Sequence, residues 1–481
     1  MKSIVEQTLG YGLTTPDKVA LCDGKNSLTY KELSETIFYA EEILRDKYGL
    51  NKGDSIVIAA DKQPDFVALY FACHLAGVVT LPIALDTNLK RYQLIKKKVK
   101  PSLIVGFKDE DGDIKTASLS DFSGKRENRK YDNPIDKEAV ADIMFTTGTT
   151  GEPKGVQLTQ GNIAAAANNI NSFIQNKNSD IEMIALPISH SFGIGRMRCA
   201  LSNGQTVILL GSFANTKRFF RFMEEYKVSG FGMVPASWAF LKKTSDMKIG
   251  DYKDQLHYIE IGSAPMPIED KKALIEALPD TRICMHYGLT EASRSAFMEF
   301  HEYEDNLNSI GKQSPNMTIR IMDEDGHEVP DKTEGEICVS GKAVTKGYLN
   351  LPKEDSFWED FFRTGDWGYK DEEGNLYLKS RKKELINVGG KKLSPLEVEE
   401  VLMELDFVKD CACIGVADPE GVLGEVVKAF IVSDEPDKIQ YDIIDELIGK
   451  KLEAYKHPRM YELIDAIPKT SSGKVQRLML K

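Results

Sequence analysis

The chain lacks a Cys-x-x-Cys pair, a net positive charge and an apolar leader at its start. Its seven cysteines (22, 73, 199, 284, 338, 411 and 413) are odd in number and scattered. That pattern argues against a disulfide framework and fits reduced, buried thiols in a cytosolic protein. Cys411-Ala412-Cys413 lies in an apolar run, so a core strand is expected there rather than a metal site. Lys and Arg number 62 against 74 Asp and Glu, a charge of −12. A general nucleic-acid binder would show the opposite balance. Met1-Lys2-Ser3-Ile4-Val5-Glu6 has no signal-peptide h-region, and the expected location is cytoplasmic.

Long hydrophobic runs are also scarce. The uncharged stretch from Phe66 to Leu85 has the length of a bilayer span, yet it contains His74, Gly77, Thr80 and Pro82. Pro64 reads as the first turn of a buried helix, Gly77 as its stop and Val78–Leu81 as a core strand. No membrane span is expected. At 481 residues the chain exceeds one compact core, so at least two domains are expected.

What is present is a dense polar loop, Thr146-Thr147-Gly148-Thr149-Thr150-Gly151-Glu152-Pro153-Lys154-Gly155, after the apolar run Ile143-Met144-Phe145. Glycines let backbone approach a ligand closely. Successive N–H groups in such a turn make an anion-binding concavity, to which hydroxyls and an ammonium add donors and charge. A polyphosphate fits that description; the plain alternative is a polar surface loop. The order is not that of a Walker A loop, in which Gly-Lys-Ser/Thr opens a helix. A P-loop phosphotransferase is disfavoured accordingly.

Around this loop the pattern is α/β. Thr29 and Glu32 form a capping box, followed by Leu33, Ile37, Ala40 and Leu44 at helical spacing. Ser55–Ala60 reads as a strand, then the helix from Pro64, then another strand, a βαβ rhythm that implies a mostly parallel sheet. Five basic residues between Arg91 and Lys100 read as a solvated helix face, and 107–138 as a surface connection. From Ser309 short strands alternate with Asp-Gly, Glu-Gly and Gly-Asn turns, which predicts a β-rich subdomain. The last hundred or so residues carry strands at Cys411–Val416 and Val427–Val432, enough for a small α+β domain.

Four further motifs stand in order: Leu186-Pro187-Ile188-Ser189-His190-Ser191-Phe192-Gly193, Ile259-Glu260-Ile261-Gly262-Ser263-Ala264-Pro265, His286-Tyr287-Gly288-Leu289-Thr290-Glu291 and Arg363-Thr364-Gly365-Asp366. A Tyr face can stack on a base. A Thr hydroxyl can bond a phosphate oxygen, and Glu is an oxygen ligand of the kind Mg²⁺ prefers beside substrate phosphates. An acidic side chain accepting from ribose hydroxyls is a known answer to sugar recognition. Gly230-Phe231-Gly232-Met233-Val234-Pro235-Ala236 looks like a strand end lining a cavity.

Together these residues resemble the adenylate-forming superfamily of acyl-CoA synthetases, peptide-synthetase adenylation domains and luciferases, and most of all an acyl-CoA synthetase. The resemblance runs from residue 29 to 477. It implies a large N-terminal domain of α/β subdomains plus a β-rich subdomain (1–382), and a small mobile α+β C-terminal domain (383–481). It assigns ATP/AMP binding to Thr146, Thr147, Gly148, Thr149, Thr150, Gly151, Lys154, Gly262, Ser263, Ala264, Tyr287, Gly288, Asp366 and Arg381. Glu291 is the implied Mg²⁺ ligand and acts with Thr290 and Lys474 in catalysis. Lys474 lies in Pro468-Lys469-Thr470-Ser471-Ser472-Gly473-Lys474, which is similar to the family's P-K-T-x-x-G-K. Lys383 matches the hinge; Ser380 replaces the family's Gly before it, as Ser263 replaces Gly in the adenine turn. Gly389-Gly390 gives a flexible loop before a helix capped by Ser394, Pro395 and Glu397.

His190 matches the residue that gates the acyl pocket, and Gly232 joins it there. No Asp occurs from Met183 to Gly211. Within this segment nothing pairs with a substrate ammonium, so an α-amino acid is disfavoured. Arg196 and Arg198 read as the wet face of a helix; the alternative puts one of them, Arg196 foremost, in the pocket holding a second anionic or polar group. The implied reaction is ATP-dependent activation of a non-amino carboxylic acid to an acyl-adenylate, then thioester formation with CoA, releasing AMP and pyrophosphate. Two other readings stay open: transfer to the phosphopantetheine of an acyl carrier protein, and a nucleotide-binding regulatory protein without turnover.

Overall fold

A computed structural model describes residues 2–147, 153–436, 439–469 and 475–480, with the Thr147 side chain outside that description. Gly148, Thr149, Thr150, Gly151 and Lys474, all implied site residues, lie outside the described residues. The chain forms two compact units, 1–318 with 339–362, and 319–338 with 363–481.

The first unit holds two large sheets. One has seven strands in the order Gly347–Tyr348, Pro153–Thr159, Val140–Thr147, Val79–Ala84, Ser55–Ala60, Leu103–Val105, Lys115–Ala117. Its pairings are parallel from Val140–Thr147 onward and antiparallel before it. The other has nine, in the order Lys312–Gln313, Ala296–Glu299, Arg282–Tyr287, Tyr258–Ile261, Gly230–Met233, Ile181–Ile184, Thr206–Leu209, Val19–Cys22, Ser27–Thr29. Its six central strands are parallel, as a βαβ rhythm requires.

Local chemistry explains the helix limits. Thr29 and Glu32 form the expected capping box at Tyr30–Glu42. Pro64 opens Pro64–Ala76, and Gly77 closes it at φ 72°, a left-handed turn that costs glycine nothing. Eleven of that helix's residues are buried, Phe66 to Leu75 without interruption, which is why the stretch carries no charge. Among the described residues no helix is long and apolar enough to cross a membrane. The connection expected at 107–138 holds more than surface chain. Lys115–Ala117 extends the sheet, and Phe122 is fully buried in the core beside Tyr48.

In the second unit, strands over 319–322, 335–338 and 363–370 lie in that order, with Leu376–Arg381 antiparallel to the last. Asp410–Ala417 and Glu425–Val432 pair antiparallel, and Pro458–Leu463 joins parallel. The helices Pro395–Leu402 and Tyr441–Lys451 share their core. Two expectations are corrected here. Gly389 (φ 57°) and Gly390 (φ 84°) form the two-residue turn of a hairpin, Ile386–Val388 with Lys391–Leu393, and not an open loop; positive φ at both centres is what a type I′ turn demands. Ser394 does cap its helix, accepting from Leu396 N. Neither half of the box is made: the Glu397 N–H goes to Ser394 O, and its carboxylate takes the Lys456 ammonium at 2.6 Å.

Candidate active site

The strands Val140–Thr147 and Pro153–Thr159, on either side of the candidate phosphate loop, are antiparallel in the register Phe145↔Gly155, Thr146↔Lys154, Thr147↔Pro153. Lys154 is therefore held on a strand opposite Thr146. Its ammonium stands 4.9 Å over the Tyr348 ring. The Tyr348 hydroxyl in turn donates to Glu291 Oε1 at 2.7 Å. Backbone bonds secure the same neighbourhood, Leu349 N to Gly155 O and Thr345 N to Glu291 O, both 2.7 Å. Next to Glu291, the Thr290 hydroxyl donates to Ser191 Oγ at 3.1 Å, and Ser191 starts the helix Ser191–Ser202 directly after His190. The strand Pro153–Thr159, the YGLTE segment and the His190 segment are thus linked through side chains.

Gly262 and Gly288 answer to close approach. A Cβ on Gly262 would meet the His286 ring at 2.2 Å, and one on Gly288 would meet Arg294 N at 2.4 Å. Ser263 takes φ 75°, the left-handed conformation that glycine adopts more readily. Ala264 follows it, half-buried, and Tyr287 is buried at the end of the strand Arg282–Tyr287. His190 remains exposed along part of its ring. Crowding, and then the Arg91 cation, hold its pKa below the ordinary histidine value.

In the second unit Asp366 and Arg381 are cross-strand partners, with Arg381 Nε 2.9 Å from Asp366 Oδ1. Arg381 Nη1 also donates to Thr364 O. The Asp366 amide bonds the Thr364 hydroxyl, which donates to Ile337 O at 2.7 Å. Asp366 is 4% exposed, so its carboxylate is held rather than free to wander. Lys383 lies exposed in the short turn Lys382–Glu384.

The two arginines of the helix Ser191–Ser202 are not on a wet face. Arg196 is fully buried and Arg198 nearly so. Arg196 donates through Nε (2.6 Å) and Nη2 to Glu182, and through Nη1 to Glu260 at 3.1 Å. Arg198 donates through Nε to Tyr70 Oη and through Nη2 to Asp142. Their charges survive burial because carboxylates meet them there. Glu260 is also bound by Arg294 Nε at 2.9 Å and lies 2.7 Å from His286 Nδ1. Burial alone would raise the Glu260 pKa, but Arg294, His286 and Arg196 outweigh it and hold it well below the usual carboxylate range.

The basic run from Arg91 to Lys100 keeps Lys97, Lys98 and Lys100 exposed, as expected, yet some of its side chains are engaged. On the helix Leu89–Val99, Arg91 Nη2 donates to Phe145 O at 3.2 Å and Lys98 Nζ to Pro153 O at 2.9 Å. One helix thereby grips both stems of the phosphate hairpin. Lys96 pairs with Asp109 and Asp111.

Tyr348, Arg294, Arg91 and Lys98 carry no motif of their own in the sequence. A usable signal existed for the acidic pair: Glu182 and Glu260 are single carboxylates inside apolar strands, Ile181–Ile184 and Tyr258–Ile261, and a buried charge needs a partner.

Comparison with known proteins fixes the class of fold first. The chain superposes on the ATP-bound MatB of Rhodopseudomonas palustris with a TM-score of 0.90 at 24% identity, over 100% of this chain and 98% of that one. It superposes on o-succinylbenzoate CoA synthetase (MenE) of Bacillus subtilis, in complex with the acyl-adenylate OSB-AMP, with a TM-score of 0.87 at 26% identity and the same coverage. Among sequence relatives, a 2-succinylbenzoate–CoA ligase of Bacillus licheniformis is 30% identical over 96% of both chains. A 4-coumarate–CoA ligase-like protein of Arabidopsis thaliana is 30% identical over 99% of this chain and 88% of that one. The AMP-binding enzyme model matches residues 12–349 and its C-terminal domain model residues 397–474. The chain belongs to the AMP-binding enzyme family.

Proposed function

We propose that this protein is an AMP-forming acid–thiol ligase that joins a non-amino carboxylic acid to CoA. In the first half-reaction a carboxylate oxygen attacks the α-phosphorus of ATP, the bond to the β-phosphate breaks and pyrophosphate leaves. In the second, the CoA thiol attacks the acyl carbon, the bond to the adenylate oxygen breaks, AMP departs and the thiol proton is lost to solvent. The observation that supports this is the linkage Lys154–Tyr348–Glu291–Thr290–Ser191, which ties the strand Pro153–Thr159 to the helix that follows His190. Relatives named as CoA ligases, covered over nearly their whole length, support the choice of acceptor.

An anion attacks an anion in the first step, so catalysis is mostly electrostatic positioning. Glu291 is a buried carboxylate next to a Thr hydroxyl, a hard-oxygen donor set that suits Mg²⁺. Bound there with substrate phosphates, Mg²⁺ would neutralise charge on the departing pyrophosphate. Lys154 and the Thr146–Gly155 donors hold the phosphates, the face of Tyr287 stacks on adenine beside the Gly262-Ser263-Ala264 turn, and Asp366 and Arg381 hold the ribose. Lys474 supplies the cation between carboxylate and α-phosphate. Residues 1–382 bind ATP and acid, residues 383–481 form the lid that carries Lys474, and Lys383 is their pivot. The protein works in the cytoplasm.

The test is a panel of carboxylic acids scored for pyrophosphate and AMP, with CoA or a carrier-protein phosphopantetheine as acceptor. Acid-dependent pyrophosphate and AMP, with thioester only when CoA is supplied, is the expected result. Formation of ADP, or pyrophosphate release indifferent to the acid, rejects it.

A further inference from the structure

The strand Gly230–Met233 is flanked by Ile181–Ile184 on one side and Tyr258–Ile261 on the other. Its two glycines are in register with the two buried glutamates, Gly230 with Glu182 and Gly232 with Glu260. Two missing side chains on one face of a strand leave a trough. The trough is filled. A Cβ on Gly230 would meet the Tyr258 ring at 2.1 Å; one on Gly232 would come to 3.2 Å from the Phe192 ring and 3.3 Å from Arg196 Cγ. Arg196 lies across the strand and binds both carboxylates.

We propose that this layer, Glu182–Arg196–Glu260 with Phe192 against it, closes the inner end of the acyl pocket and restricts the enzyme to compact carboxylic acids. The proposal rests on the reading above, in which the acid lies between His190 and Gly232. A long alkyl chain running past Gly232 has to displace Phe192 or Arg196. Phe192 is held edge-on by His286, with ring centroids 4.7 Å apart, and by the Arg294 guanidinium 4.9 Å from its centroid. Moving Arg196 would leave the buried Glu182 carboxylate without a cation and take one of the cations from Glu260, far costlier than turning an apolar side chain. The same contacts decide what Arg196 does not do. Three of its five N–H groups already serve two carboxylates, whose summed charge exceeds that of the guanidinium, and Tyr258 Oη adds a further bond to Glu182 at 2.6 Å. The guanidinium is therefore part of the pocket's wall and specifies size; it is not the partner of a second anionic group on the substrate.

The experiment measures acid-dependent AMP formation by the full-length enzyme with butanoate, octanoate and dodecanoate. The expected kcat/KM for dodecanoate is at least about a hundredfold below that for butanoate, the scale on which a closed pocket rejects chain that it cannot hold. Equal or better use of dodecanoate overturns the proposal while leaving the ligase reading intact. AMP formation with no acid in the wider panel overturns both. A second variant tests the wall itself. Glu182→Gln with Arg196→Met removes one charge of each sign and leaves Glu260 paired with Arg294. It should narrow the gap between dodecanoate and butanoate at least about tenfold. A folded, active double variant with the wild-type length profile overturns the assignment; if that variant does not fold, the wild-type profile decides alone.

Discussion

At the scale of single residues, burial of charge is the organising expense of this protein, and Asp142 shows how it is met. The carboxylate is fully buried on the strand that leads into the phosphate loop. It accepts from Tyr70 Oη at 2.8 Å, from Thr80 Oγ1 and from Arg198, and lies 2.8 Å from His74 Nε2. Burial by itself raises its pKa. Arg198 and then His74 and Thr80 reverse that and bring it down to about 2. A carboxyl depressed in the folded state stabilises fully above its unfolded pKa, near 4, and that stability is lost as pH falls toward 2. Asp142→Asn should cost about 3–5 kcal/mol at neutral pH, since it strands the Arg198 cation. The variant should also lose the share of acid sensitivity that Asp142 contributes between pH 4 and 2. Urea unfolding midpoints of both proteins against pH measure the two effects together. A variant as stable as the parent would mean that the network relaxes around a neutral amide.

At the scale of elements, the helix Leu89–Val99 has the composition of a solvent face and the contacts of a clamp. Arg91 and Lys98 are seven residues apart, two turns, and so lie on one side of the helix. That side meets Phe145 O and Pro153 O, the residues that flank the loop's base. Replacing both with Met removes two charge-assisted hydrogen bonds and two cations from beside the phosphate hairpin. KM for ATP is expected to rise about tenfold, from the size of such bonds at partly exposed sites, while KM for the acid stays within about twofold of the parent. Steady-state titration of each substrate separates the two, and a parallel rise in both would show that the helix merely supports the sheet. The hairpin Ile386–Leu393 makes the related point for glycine. A Gly pair in sequence suggests slack, yet strands on either side convert it into a tight turn.

At the scale of the molecule, the residues proposed to hold the nucleotide fall in two units. Lys154, Gly262, Tyr287 and Glu291 belong to the first; Asp366 and Arg381 belong to the second. A division of labour between half-reactions follows if the lid delivers Lys474 to adenylation and withdraws it for thioester formation, a hinge step of the kind that governs many turnovers. Lys474→Ala should lose adenylation by about a thousandfold or more, as expected when a transition-state cation is removed, yet keep thioester formation from supplied acyl-adenylate and CoA. Acetylation of Lys474 removes the same charge and should have the same effect. Assaying the two half-reactions separately is the check, and equal loss in both would reject the division.

Much of the proposed site is written in the sequence because its chemistry is local. Phosphate loops, adenine turns and caps are made by neighbours in the chain, so Thr146–Gly155, Gly262–Ala264, Tyr287–Glu291 and the Thr29 capping box stand as readable strings. The βαβ order of the first sheets was equally readable, since hydrophobic period follows secondary structure. Burial of a charge is different, because it is decided by residues brought from far along the chain. Arg198 meets Tyr70 from 128 positions away and Arg196 meets Glu260 from 64. A sequence shows that an arginine is present, whereas only the folded chain brings the carboxylate that lets its charge leave water. That is why the helix Ser191–Ser202 read as wet and proved dry, and why the Glu182–Arg196–Glu260 layer became visible only in three dimensions.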